Sequence, residues 1–231
     1  MQIQGVEVSW LGHATIRLKL DDGTTVLIDP WLEGNPACPE SEWNQEGVDA
    51  IYITHGHFDH VLGVEAAAKA NDAAVFAIHE VAEHFTARGL ENVTGSNKGG
   101  RVEGVSGIHG TLVDAVHSSG ISGDGGIVAG GEAGGWIIDI PSGPTFYFAG
   151  DTTIFGDMSL IGEIYEPDVA FLPIGGHYTM GAGIAAKAAK RIGVEKVVPI
   201  HFGTFPILSG TPGELRDAGD GAFEVIELEL P

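Results

Sequence analysis

Residues 50–60 read Ala-Ile-Tyr-Ile-Thr-His-Gly-His-Phe-Asp-His, an apolar run that gives way at once to three imidazoles and a carboxylate within six positions. The apolar part needs a core. The polar part needs a place where loops converge, and sheet folds provide both, because strand ends carry loops that vary without disturbing the core. In the extended exit of a strand, side chains at i and i+2 point the same way, so His55 and His57 can grip one ion. A turn then swings Asp59 and His60 toward a neighbouring position, with Gly56 expected to free the backbone for that departure. Imidazole and carboxylate both suit Zn²⁺ and other first-row divalent cations, and two ions are the economical reading.

Three more ligand-type residues sit in the same kind of place. His117 closes the apolar stretch 111–116, Asp151 follows 145–148 through Ala149-Gly150, and His201 follows 196–200. Each is weak evidence alone. Their shared position after apolar runs predicts one converging site.

The wider pattern is mixed. Strands are predicted at 6–10, 15–20, 25–28, 50–53, 75–78, 111–116, 136–140, 145–148, 169–172, 196–200 and 224–228. Helices are predicted at 63–70, 81–88, 158–165 and 184–192, with a short one at 214–217. The first three strands form a meander turning at Asp21-Asp22-Gly23, and strand–helix alternation follows. Two sheets with helices outside them satisfy this order, in a single domain over 1–231. The segment 118–135 is dominated by glycine and is expected to be a loop or an irregular hairpin. It is either a tolerated surface insertion or, since it leaves directly from His117, a mobile flap beside the site.

Together the HxHxDH motif, the distant His117, Gly150-Asp151-Thr152 and the final His201 resemble the ordered motifs of the metallo-β-lactamase superfamily. Within it the chain is similar to small bacterial and archaeal metal-dependent hydrolases related to the L-ascorbate-6-phosphate lactonases. The supporting stretches are Leu11-Gly12-His13-Ala14, Leu27-Ile28-Asp29-Pro30, 171–175, 178–181 and 198–202. The resemblance implies an α/β (α+β) fold, a four-layered αββα sandwich of two mixed β-sheets with the site at one edge. It implies that His55, His57 and His117 hold one metal, Asp59, His60 and His201 a second, and that Asp151 bridges them. Asp29 is implied to orient ligands from behind. The implied cofactors are two divalent ions, zinc first, with manganese, iron or nickel as alternatives.

Such a pair would supply hydroxide to an ester, lactone or phosphoester of a small molecule, with Asp59 orienting the nucleophile and relaying its proton. His13 is expected either to contact substrate or ligands or to be a satisfied structural histidine. His177 is expected either to serve the leaving group or an anionic substrate or to be an ordinary loop residue. Tyr178 could act likewise, but packed loop aromatics are commoner. His79, His84 and His109 lack motif context, and Asp168 beside Pro167 is expected to cap or turn the chain. Two other classes stay open: a di-iron oxidoreductase on the same scaffold, against which His57 stands where such proteins place Glu, and a non-catalytic metal-binding protein.

With 11 Lys and Arg against 32 Asp and Glu, the formal charge is −21, which repels phosphate backbones and counts against nucleic acid as a partner. Cys38 is the one cysteine, which excludes an internal disulfide and a cysteine-based zinc cluster. The N-terminus lacks the pattern of a secretory signal, and no apolar stretch reaches the roughly 18 residues of a membrane span, so a cytoplasmic protein is expected. The acidity also fits a salt-loving host, because high salt screens such self-repulsion. Thermal unfolding then has a higher midpoint in molar KCl than in low salt; no gain with salt contradicts the idea.

Overall fold

The computed structural model describes residues 1–123 and 125–231. The first sheet is laid down in chain order: β1 (Gln2–Ile3), β2 (Val6–Trp10), β3 (Ile16–Leu20), β4 (Thr25–Ile28), β5 (Ala50–Tyr52), β6 (Ala74–Ile78) and β7 (Val93–Ser96). From β1 to β4 the pairs are antiparallel, as short turns permit. From β4 to β7 they are parallel. The crossovers carry a short helix α1 (Phe58–Val61), then α2 (Val64–Asn71) and α3 (His79–Ala87).

The remaining strands are β8 (Arg101–Glu103), β9 (His109–Asp114), β10 (Gly120–Gly123), β11 (Gly126–Ala129), β12 (Gly134–Asp139), β13 (Thr145–Phe148), β14 (Val169–Pro173), β15 (Lys196–Ile200) and β16 (Glu224–Val225). The second sheet has the order β16-β15-β14-β13-β12-β9-β8, antiparallel through β13 and parallel beyond it. Its helices are α4 (Met158–Tyr165), α5 (Ala182–Ile192) and α6 (Pro212–Gly219). Each sheet thus repeats one plan, a meander followed by parallel strands. The result is the αββα sandwich that the motifs imply.

Alternation along the strands explains the layering. In β13, Phe146 and Phe148 enter the core between the sheets, while Tyr147 faces α4 and α5. In β14, Val169 and Phe171 face the first core, Ala170 and Leu172 the second. A strand covered on both faces reads as one unbroken apolar run, as these do. Trp136 of β12 is wholly buried and donates its Nε1–H to the Ile53 carbonyl at 2.8 Å, tying the second sheet to the strand that precedes the histidine motif.

Several boundaries differ from expectation for identifiable reasons. The strand expected at 111–116 is β9, which stops at Asp114 because β12 begins opposite it at Gly134; residues 115–117 peel away toward the site. The run 224–228 pairs only over two residues. The helix expected at 214–217 extends over α6, because Thr211 and Glu214 form a reciprocal cap with Pro212 in the first turn. Strands β7, β8 and β10 are too glycine-rich or polar to show a period-2 signal, and β11 (Gly-Ile-Val-Ala) is exposed at every residue, so no alternation marks it. The glycine-rich segment contains a hairpin, β10 against β11 from Gly120↔Ala129 to Gly123↔Gly126, as a separate two-stranded sheet. The part of that expectation falling on residue 124 lies outside the described residues. Among the described residues no helix is long and apolar enough to cross a membrane.

Candidate metal centre

The sandwich brings one end of its central strands to a common edge. His55, His57, Asp59 and His60 follow β5; Asp29 follows β4, His117 β9, Asp151 β13 and His201 β15, while His13 lies in the turn from β2 to β3. Two groups of side chains gather there with all ligand atoms within 4.8 Å of one another: His55, His57, His117 and Asp151, and His13, Asp59, His60 and His201. Asp151 lies between them. Its Oδ2 is 3.1 Å from His201 Nε2, 3.5 Å from His117 Nε2 and 4.0 Å from His55 Nε2, and its Oδ1 is 3.4 Å from His60 Nε2.

Hydrogen bonds from behind aim these rings. Asp29 accepts from the Thr54 amide (2.8 Å), the Thr54 hydroxyl (2.6 Å) and His60 Nδ1 (2.8 Å). Having given its proton to Asp29, the Thr54 hydroxyl can only accept from His55 Nδ1, 3.0 Å away. Both His55 and His60 therefore carry a proton on Nδ1 and turn Nε2 toward the cluster, where His55 Nε2 lies 3.0 Å from His57 Nδ1. Asp29, His55 and His60 also form a compact trio of their own. The engagement of Asp29 Oδ2 by two donors makes it a support rather than a ligand. His13 is wholly buried and bonded at both nitrogens, to Asp59 Oδ2 and Thr204 Oγ1, each at 3.0 Å. Its neighbourhood is thus the cluster itself.

Local backbone shape serves the same end. His13, Asp29 and His201 all hold positive φ (56°, 46° and 56°), conformations that cost non-glycine residues about 1–3 kcal/mol and that gather at functional sites. Gly150 holds φ +59°, and a Cβ there would stand 2.7 Å from Thr54. Gly56 departs from expectation. Its φ is not positive; it is glycine because a Cβ would meet Ile121 of β10 at 2.6 Å. The hairpin is pinned at this point, since Ser119 Oγ accepts from the Gly56 amide (3.1 Å) and donates to the Gly130 carbonyl (2.9 Å). Thr152 of the Gly-Asp-Thr motif accepts from the Val116 amide at 3.0 Å, fixing the segment that presents His117.

Burial and facing carboxylates together set the charge state of the cluster. Burial lowers the pKa of His55, His57 and His117, keeping them neutral. Burial opposes ionisation of Asp151, but His201 and His60 outweigh it and hold the carboxyl well below its ordinary range. Asp59 is likewise held low, against burial, by His13 and His201. Burial also works against charge on His60 and His201; facing carboxylates prevail, raising His60 well above 6.5 and pushing His201 up to about 9. Yet His60 Nε2, His201 Nε2 and Asp151 Oδ1 are buried without a properly angled hydrogen bond. Those three atoms crowd at 3–4 Å from facing ligand atoms without a hydrogen bond, an arrangement that fits a cation between them, and the all-N/O set suits a divalent first-row ion.

A pH dependence follows. In the metal-free protein the stabilisation from protonated His201 is fully present below pH 6.5 and is lost as pH rises through about 9. A cation must displace that proton. Metal uptake is therefore expected to weaken below pH 9 and to release protons from His60 and His201, fewer from His201 above its pKa. Titration calorimetry in buffers of different ionisation enthalpy counts them; a count independent of pH between 6.5 and above 9 contradicts this assignment.

Other histidines stay apart from the cluster. His177 is exposed with φ 53° and packs its ring on Tyr178 at 4.5 Å, outside the groups of ligand atoms. Tyr178 itself lines the cavity over the site. His79 is exposed and His84 and His109 half-buried, away from both groups. Asp168, expected to cap or turn the chain, instead accepts from the Thr145 amide at 2.8 Å across 23 residues, which ties the start of β14 to that of β13. Thr54 and Thr204 have no motif signal that would find them; only their neighbours in the fold give them a role.

A four-layer sandwich with these residues at its edge defines the class. The family model described as a beta-lactamase superfamily domain matches residues 24–202, and the chain belongs to that superfamily. Within it, the UPF0173 metal-dependent hydrolase of Koribacter versatilis is 46% identical over 216 residues, covering 94% of this chain and 92% of that protein. That of Solibacter usitatus is 44% identical over 212 residues, covering 92% and 91%. Among solved structures, Igni18, a novel metallo hydrolase from Ignicoccus hospitalis, is 34% identical with a TM-score of 0.85, covering 97% of this chain and 95% of its own.

Proposed function

We propose that this metal-dependent hydrolase cleaves an ester, lactone or phosphoester of a small molecule with two divalent cations. His55, His57 and His117 would hold one, Asp59, His60 and His201 the other, and Asp151 would bridge them. The position of Asp151 within reach of four imidazoles, beside ligand atoms left without hydrogen bonds, carries this reading. Zinc is the first candidate, because neutral imidazoles with carboxylates suit it.

Bound there, the cations would supply Lewis-acid polarisation of the scissile group and a water acidified toward neutral pH. The chain's own residues do the rest. Asp59 Oδ2 is held by His13, which keeps the carboxylate ionised and fixes its plane. Asp59 can then orient the attacking water and accept its proton. His13 steadies Asp59 through a chain that ends at Thr204, and so acts as a positioning residue. Asp29 and Thr54 hold His55 and His60 in the tautomer a cation needs. His177, turned to solvent, takes no part in the proposal.

Metal analysis with a substrate panel tests it. Protein loaded with Zn²⁺, Mn²⁺, Ni²⁺ or Fe²⁺ is expected to hold two equivalents and to turn over a carboxylic ester, a lactone or a phosphodiester. Silence across the panel with both positions filled would overturn the catalytic reading and leave a metal-binding protein.

A further inference from the structure

On the reading of the pocket as a hydrolytic metal centre, the walls around it decide which substrate enters. The cavity over the cluster has a volume of about 540 Å³ and is walled by Phe58, Ile127, Tyr178, Phe205 and Ile207. They come from separate places: α1, the hairpin strand β11, the loop before α5 and the loop after β15. Four are substantially exposed in the free protein, with Ile127 at 80%. Exposed apolar groups that converge on one concavity mark a place where a ligand removes them from water.

The polar groups of the wall outside the cluster are neutral, namely the hydroxyls of Ser118, Ser122 and Tyr178. Among the described residues no Lys or Arg lines the cavity, although the chain has 11. A phosphate or carboxylate on the arm of a substrate would therefore be pressed against aromatic and aliphatic groups with no counter-charge, at a cost in desolvation. The net charge of −21 adds a long-range repulsion of anions, which the cations of the proposed centre offset only close to the scissile group and not along the arm. An uncharged alkyl or aryl arm meets neither penalty and gains from burial.

The hairpin supplies the adjustable wall. Its base is clamped to the histidine motif by Ser119 and by Ile121, which is 3% exposed against Gly56. Ile127, near its far end, stands out over the mouth. We propose that the site takes an uncharged ester or lactone whose scissile group meets the cluster and whose apolar arm lies against Phe58, Ile127, Phe205 and Ile207. Ile127 is the specificity-determining residue for that arm.

Hydroxamates, which chelate zinc and are not turned over, test the wall separately from the reaction. Calorimetry on zinc-loaded protein is expected to show octanohydroxamate binding at least about ten-fold tighter than acetohydroxamate, as burial of added methylenes requires. A hydroxamate of equal length tipped with a carboxylate loses that gain. Ile127→Ser is expected to cut the octano-to-aceto affinity ratio about three-fold or more. Ile164→Ser, at an exposed position of α4 outside the cavity, does not change the ratio.

Equal affinity for both chain lengths, or tighter binding of the carboxylate-tipped compound, overturns the apolar arm. The metal centre survives that outcome if acetohydroxamate binds the loaded protein and not the stripped one. An unaltered ratio in Ile127→Ser overturns the assignment of the hairpin. Failure of every hydroxamate to bind the loaded protein overturns the metal centre and the arm together.

Discussion

Asp151→Asn is expected to leave a folded chain whose hydrolytic turnover falls by roughly 10²–10³-fold, the loss seen when a single preorganised charge-stabilising group is removed. Asparagine keeps the shape of the side chain, so the packing around a residue only 2% exposed is preserved. What disappears is the negative charge between the two groups of imidazoles. His60 and His201 lose their principal counter-charge, and with it the cause of their raised pKa values. Metal analysis should find fewer than two equivalents retained after dialysis, while the far-ultraviolet circular dichroism stays that of the parent. Parental turnover together with full metal content in the variant would remove Asp151 from the centre of the mechanism.

Chelation of the loaded protein should lower its melting temperature by roughly 8–16 °C. A ligand held at about a thousand times its Kd contributes ~4 kcal/mol, and each kcal/mol moves a domain of this size by roughly 2–4 °C. The metal-free chain should remain folded, unlike small zinc modules, because its stability comes from two extensive apolar cores. Protonation of His60 and His201 also compensates Asp29, Asp59 and Asp151 when no cation does so. Scanning calorimetry before EDTA, after it, and after return of Zn²⁺ measures the effect. An unmoved midpoint means either that no ion is bound at the cluster or that binding is too weak to bear on folding.

These two experiments separate chemistry from architecture. Asp151→Asn changes the charge at the centre with the scaffold intact, whereas chelation removes the ions and leaves every side chain in place. A protein that loses stability on chelation yet keeps its activity without the ions would have metals that serve structure alone.

Much of the architecture was legible in the chain. The unbroken apolar runs of β13, β14 and β15 announce strands covered on both faces, and the Asp21-Asp22-Gly23 turn announces the antiparallel start. The polar short strands β7 and β8 escaped because their side chains are half-exposed or exposed, so no period-2 contrast marks them. The helix α1 escaped for another reason: it is a single turn of four residues, two of them the candidate ligands Asp59 and His60, too short to show a helical period.

The sequence by itself determined the chemistry available to this protein: imidazoles and carboxylates, no thiolate pair, each set just beyond an apolar run. Those are local properties, readable from residue type and spacing. Only the tertiary structure decided how they are used. Residues far apart in the chain, such as Thr54 and Gly150 or His13 and Thr204, meet because sheet register and sandwich packing bring them there, and no local pattern encodes that distance. For the same reason Gly56 proves to be a matter of space for Ile121 rather than of backbone freedom, His177 faces solvent while Tyr178 beside it lines the cavity, and a glycine-rich stretch becomes a wall over the centre.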